Sequence, residues 1–84
     1  MTRYTVVWVQ SAQNELADIW LNATDRNAVT VATQLIDQEL SENAPTKGND
    51  LSEGLRSLFA PPIKVIFTVR KEDRLTEVLL VRII

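Results

Sequence analysis

The chain has 84 residues, 45% of them hydrophobic, a formal net charge of −2, and neither cysteine nor histidine. This length suits a single small domain, residues 1–84, and the missing residue types exclude zinc sites, cysteine nucleophiles and imidazole-based catalytic triads. No apolar run approaches the roughly 18–20 residues that span a bilayer, and the N-terminus lacks the features of a secretion signal. We therefore expect a cytoplasmic protein that uses no membrane, metal or cofactor.

The first elements in chain order are a strand and a helix. The β-branched and aromatic run from Arg3 to Val9 predicts the strand. Ser11 is the expected N-cap of a helix near Ala12–Ala23, whose apolar side chains recur at helical spacing on one face. On this helix we interpret Glu15 and Asp18 as solvated residues rather than as a catalytic pair.

A second helix and a loop follow. Asp25 is the expected N-cap of a helix over Arg26–Leu40, where apolar residues repeat at intervals of three and four. The two helices are joined by a tight turn, so they should form a helical hairpin across one face of a sheet. Ser41–Gly54 contains glycine, proline and polar turn formers and is predicted to be an irregular loop, with Leu51 fixing it to the core.

Three consecutive strands are predicted in the last third of the chain. A short strand at Leu55–Phe59 ends at a corner made by Pro61 and Pro62, because proline cannot donate to a β-ladder. Ile63–Val69 alternates apolar and mostly polar residues with the period of a strand. After a four-residue turn, Leu75–Ile84 is almost uniformly apolar, which indicates a central strand. The order of elements is that of an α+β fold, β-α-α-β-β-β.

Basic residues concentrate in these strands, with six of them from Leu55 onward against three acidic ones. If antiparallel pairing brings Arg56, Lys64, Arg70 and Arg82 to one face, their cationic groups can hold phosphate oxygens and stabilise charge developing at a phosphorus. The alternative is an ordinary solvated surface of mixed charge.

The sequence resembles the RelE/ParE superfamily of toxins from bacterial type II toxin–antitoxin modules. The resemblance extends over essentially the whole chain and follows the family's order of elements. It is carried by these segments: Tyr4-Thr-Val-Val-Trp-Val, Ala12-x-x-x-Leu16-x-x-Ile19, Pro45-x-x-Gly48-x-x-Leu51, Gly54-Leu-Arg56-Ser-Leu58 and Pro62-Ile-Lys64-Val-Ile-Phe67-Thr-Val69.

The resemblance implies a helical hairpin packed on a mainly antiparallel four-stranded sheet, and a cognate antitoxin that wraps and inhibits the protein. Its RelE-like branch implies metal-independent cleavage of messenger RNA in the ribosome, with Lys64, Arg56 and Arg82 as the expected catalytic residues. Lys64 stands where the family usually has an arginine, and Arg56 matches the arginine of the preceding strand. The alternatives are a ParE-like inhibitor of DNA gyrase and a non-toxic homologue that only binds an antitoxin; a homodimer is also open.

Two departures from the family pattern bear on activity. The sequence stops at Ile84, shortly after Arg82, where family members usually continue into a basic tail. The aromatic residue of the middle strand is Phe67 instead of tyrosine. From these departures we expect a weak, diverged or inactive toxin that still binds an antitoxin.

Overall fold

The computed structural model describes residues 2–84. Neither helix of this part is long and apolar enough to cross a membrane. A 3₁₀ turn covers Ala44–Thr46. The helices and strands are β1 Thr5–Trp8, α1 Gln10–Asn22, α2 Arg26–Leu40, β2 Asn49–Ser52, β3 Leu55–Ala60, β4 Ile63–Arg70 and β5 Leu75–Ile83.

The strands of residues 2–84 form one five-stranded sheet in the order β1-β5-β4-β3-β2. β1 runs parallel to β5, whereas the other neighbouring strands are antiparallel. This confirms the predicted α+β fold with a helical hairpin and a mainly antiparallel sheet, and also the central position of the last strand. The predicted number of strands, four, is one too few.

The additional strand is β2, inside the segment that we predicted to be an irregular loop. It pairs with β3 through a tight turn at Glu53 and Gly54, whose φ angles of 48° and 83° are both positive, as a two-residue hairpin turn of type I′ requires. Its sequence, Asn-Asp-Leu-Ser, begins with two residues that are depleted in strands, so the local pattern did not indicate a strand. Leu51 is 52% exposed on this strand, and the prediction that it anchors the segment to the core is wrong.

The predicted start is correct for α2 and wrong for α1. Asp25 caps α2 by accepting a hydrogen bond from the Ala28 amide at 3.0 Å. In α1, Val9 occupies the N-cap position without a side-chain cap, and Ser11 lies inside the helix. The reason is that β1 runs directly into α1, with the Val9 amide still donating to the Val78 carbonyl of β5 at 3.0 Å.

Both helices pack on one face of the sheet. The alternating residues Ile63, Val65 and Phe67 of β4 are fully buried there, as the period of two predicts. Burying a side chain of this kind contributes about 1.5–3 kcal/mol, which makes this layer the main source of stability. No helix of residues 2–84 covers the opposite face, and we call it the open face. The residues that meet the β4 layer include Ala12, Ala32, Ile36, Leu40, Ala60, Val78 and Val81.

Candidate functional site

Three side chains form a row across the open face. Phe59 of β3 is the register partner of Lys64 of β4, and Lys64 is in turn the partner of Arg82 of β5. Directly paired residues of antiparallel strands project from the same face, with Cβ atoms about 4.5–5.5 Å apart. The structure therefore brings together Lys64 and Arg82, two of the three residues predicted to act on phosphate, and adds an aromatic side chain beside them. We call these three residues the open-face row.

A β-bulge in β5 places Arg82 in this row. Phe67 pairs with Val78, but the preceding residue, Ile66, pairs with Leu80, so Leu79 is an extra residue on β5. Strict alternation from Val78 would have turned Arg82 towards the helices. The bulge shifts the alternation by one residue, and this is one way in which bulges redirect a side chain.

Lys64 is free of carboxylate partners. Across residues 2–84, no carboxylate oxygen lies within the 4.0 Å that defines an ion pair with its ammonium group. The Lys64 ammonium lies 5.8 Å from the centre of the Phe59 ring, near the outer limit of a cation–π contact. Like charges directly opposite each other destabilise a sheet, so Lys64 and Arg82 together favour a bound anion.

Arg82 is held by Glu15 of α1. The Arg82 Nη1 atom donates to the Glu15 carboxylate at 2.6 Å and to the Val81 carbonyl at 2.8 Å. The other carboxylate oxygen of Glu15 accepts from the Val81 amide at 3.0 Å. The hydrogen bond from Arg82 is the main reason that the pKa of Glu15 is lowered, and the hydrogen bond from the Val81 amide lowers it further. Partial burial acts in the opposite direction and raises the pKa. Glu15 is therefore an anionic anchor for Arg82 rather than the solvated residue that we predicted.

Arg56, the third predicted residue, lies away from the row. It pairs with Phe67, so it projects from the helix-covered face of the sheet. Its Nε atom donates to the Lys47 carbonyl at 2.9 Å, Nη2 donates to the Gly48 carbonyl at 3.3 Å, and Nη1 lies 3.5 Å from the Asp50 carboxylate. Pairing does not bring Arg56 to the face of Lys64, because Arg56 lies three positions before Phe59 and side chains an odd number of positions apart project from opposite faces of a strand. Arg56 instead ties the segment before β2 to the sheet.

A second feature is a groove between the two helices. It encloses about 690 Å³ and is bounded by Trp8 and Trp20 together with Leu16, Leu21 and other residues of both helices. The Trp8 indole donates to Asp37 at 2.7 Å, and the Trp20 indole donates to Thr30 at 3.2 Å. Asp37 and Thr30 of α2 thus fix the positions of both indole rings. Because the rings are already held in place, the groove is a preformed apolar surface.

Comparison with known proteins identifies the fold. No protein-family model matches the sequence, and no curated protein is detectably similar to it. Among solved structures, a chain of the RelBE2 toxin–antitoxin complex from Mycobacterium tuberculosis has a TM-score of 0.81 at 17% identity, covering 100% of this chain and 94% of that one. A chain of the chromosomal ParDE toxin–antitoxin system from P. aeruginosa has a TM-score of 0.69 at 20% identity, covering 98% and 97%.

The isolated RelE toxin from E. coli has a TM-score of 0.59 at 12% identity, covering 95% of this chain and 83% of that one. The helical hairpin on a mostly antiparallel sheet is thus the architecture of the RelE/ParE toxins. This chain has the RelE/ParE fold, and the resemblance recognised in the sequence is confirmed at that level.

Proposed function

We propose that this protein is the toxin of a type II toxin–antitoxin module and that it cleaves messenger RNA on the ribosome. The observation that carries the proposal is the pairing of Lys64 and Arg82 on the open face. Lys64 has no carboxylate partner among residues 2–84, and Arg82 is held in place by Glu15. Two cationic groups at this spacing suit a phosphodiester, whose charge lies on two non-bridging oxygens.

The chemistry is transfer of a phosphoryl group within the RNA. The ribose 2′-hydroxyl loses its proton to water, and its oxygen forms a bond to the adjacent phosphorus while the bond from phosphorus to the 5′-oxygen of the next nucleotide breaks. The departing 5′-oxygen takes a proton from water, leaving a 2′,3′-cyclic phosphate and a 5′-hydroxyl. Negative charge grows on the non-bridging oxygens in the transition state. Lys64 and Arg82 stabilise that charge without a metal ion, which is the effect of a preorganised oxyanion site.

The proposed partner is an antitoxin, because two of the similar structures come from toxin–antitoxin systems. The surface of the helical hairpin suits such a partner. Leu21 and Val31 are 59% and 54% exposed, and the tryptophan-lined groove lies beside Leu21. Exposed apolar surface of this kind is typical of protein interfaces.

Expression of the chain alone in a bacterium, with mapping of new RNA 5′ ends, tests the proposal. We expect growth arrest with cuts inside translated codons. Replacing Lys64 or Arg82 with alanine should relieve both effects. The matched controls are Lys71→Ala, which removes a lysine from the β4–β5 turn, and Arg70→Ala, which removes an open-face arginine that also has a carboxylate partner, Glu77 at 3.3 Å.

The alternatives give different results. Arrest with intact messages and induction of DNA-damage signalling would replace the ribonuclease with a gyrase inhibitor, as in a ParE-like toxin. Normal growth would leave a homologue that only binds an antitoxin. Unchanged arrest and unchanged cuts in a folded Lys64→Ala, Arg82→Ala double variant would refute the assignment of the site.

A further inference from the structure

Phe59 has an exposed aromatic ring at one end of the open-face row. The ring is 50% exposed, whereas the next residue, Ala60, is buried on the other face. Phe59 therefore contributes little to the core, although it is a large apolar residue on an inner strand of the sheet. Its one close cationic neighbour in the row is Lys64, at 5.8 Å.

The row runs from an aromatic ring to two cations, just as a nucleotide runs from its base to its phosphate. Neighbouring strands lie about 4.8 Å apart, so Arg82 is about two strand spacings, roughly 10 Å, from Phe59, with Lys64 between them. An aromatic ring beside closely spaced cations is the usual composition of a surface that binds single-stranded nucleic acid, where bases stack on the ring and phosphates meet the cations.

Arg82 has the donors that such a contact needs. Both hydrogens of Nη1 are used, one by Glu15 and the other by the Val81 carbonyl. The Nε and Nη2 groups form no hydrogen bond to any of residues 2–84 and make up a side-on fork, the geometry in which arginine binds two phosphate oxygens. Glu15 thus fixes the guanidinium while leaving the phosphate-binding edge free.

We infer that Phe59 is a stacking platform for a nucleobase of single-stranded RNA whose phosphate is bound by Lys64 and Arg82. The inference rests on the proposed function, because it assigns a substrate contact to the same site. Stacking is tolerant of base identity, so Phe59 positions the strand and does not select its sequence. It holds the nucleotide so that the scissile phosphate lies against the two cations.

The test is single-turnover cleavage by the purified full chain on ribosomes programmed with a synthetic message. Phe59→Leu keeps an apolar side chain but cannot stack, and we expect it to slow cleavage about five- to 150-fold, the range for losing one stacked base. Phe59→Tyr keeps the ring and should cleave within about threefold of the wild type. Leu51→Ala is the control, since Leu51 is equally exposed on the edge strand β2.

A modified message isolates stacking from any structural effect. Each nucleotide of the cleaved codon is replaced in turn by an abasic one. At one of these positions the abasic substitution should slow the wild type and Phe59→Tyr but leave Phe59→Leu unchanged, because that variant has no stacking left to lose. Additive effects of protein and message at every position would overturn the inference.

The outcomes separate the inference from the function on which it rests. Loss of cleavage in Lys64→Ala with wild-type cleavage in Phe59→Leu would overturn the stacking role and leave the ribonuclease standing. Wild-type cleavage in the Lys64, Arg82 and Phe59 variants alike would refute the site as a whole. The inference would also be overturned if Phe59→Leu and Phe59→Tyr slowed cleavage equally. The same holds if Phe59→Leu changed only neutralisation by the antitoxin and left the cleavage rate unchanged.

Discussion

Glu15 should contribute to stability as well as to the position of Arg82. Glu15→Ala removes a charged acceptor from the Val81 amide, a bond of about 1.5–3 kcal/mol, and an ion pair worth at most about 1 kcal/mol, because the Arg82 side chain is half exposed. Water can reach part of this edge, so we expect a net loss of about 2 kcal/mol. For a domain of this size, the melting temperature should fall by about 8–16 °C.

The assay is thermal and urea denaturation with Glu77→Gln as the matched control. Glu77 forms an ion pair with Arg70 at 3.3 Å on the same sheet. Within residues 2–84, however, no backbone amide donates a hydrogen bond to the Glu77 carboxylate. Glu77→Gln should therefore cost less than about 1 kcal/mol. Equal stability losses in Glu15→Ala and Glu77→Gln would refute the argument, since it assigns most of the effect to the Val81 bond.

Acid should remove the stabilisation that Glu15 contributes. The hydrogen bonds from Arg82 and Val81 lower the pKa of Glu15 in the folded protein. Glu15 then holds its proton less tightly in the folded state than in the unfolded chain, where the pKa of a glutamate is about 4.3. The stabilisation is complete above that value and is lost as the pH falls through the lower folded pKa. The stability difference between wild type and Glu15→Gln should be constant above about pH 5 and shrink below it; a difference unchanged at pH 3 would contradict this.

Three further predictions concern the sheet. A Cβ on Gly48, whose φ is +67°, would lie 2.0 Å from the Ser57 carbonyl oxygen. Gly48→Ala should therefore lower the free energy of unfolding, measured by urea denaturation, by about 1–3 kcal/mol or more. Gly54→Ala is the control and should lower it less, because Gly54 has a φ of +83° but nothing lies within 4 Å of its Cβ. Arg56→Ala should lower stability by at least about 1 kcal/mol while RNA cleavage in the folded fraction stays at the wild-type rate. Deleting Leu79 should leave the cation pair on the open face and cleavage intact, because the residues after the bulge keep their partners; loss of cleavage in a folded deletion variant would contradict this.

The sequence was informative where the local pattern matched the environment. Ile63, Val65 and Phe67 alternate in a strand buried on one face, and the side chain of Asp25 caps a helix that begins at the next residue. Both features depend on residues close together in the chain. β2 escaped prediction because its stability comes from pairing with β3, whereas its own residues disfavour a strand.

The composition of the site could be predicted only in part. Lys64 and Arg82 were recognised as candidates, but their pairing depends on the bulge at Leu79, and the run Val-Leu-Leu-Val has no polar residue to mark where alternation shifts. Arg56 carries the same charge, but it projects towards the other face. Glu15 is 67 residues from Arg82 in the chain, so no local pattern indicated their contact.

The place of Arg82 in the open-face row is a consequence of two irregularities at one end of β5. β1 pairs with β5 only as far as Val78, which leaves the Val81 amide without a strand partner on that side. The early start of α1 brings Glu15 to this free edge, and the carboxylate that satisfies the amide also holds Arg82. The bulge turns Arg82 to the open face at the same point. Without the bulge, the unchanged sequence would have turned Arg82 towards the helices, so Arg82 belongs to the candidate site because regular alternation ends there.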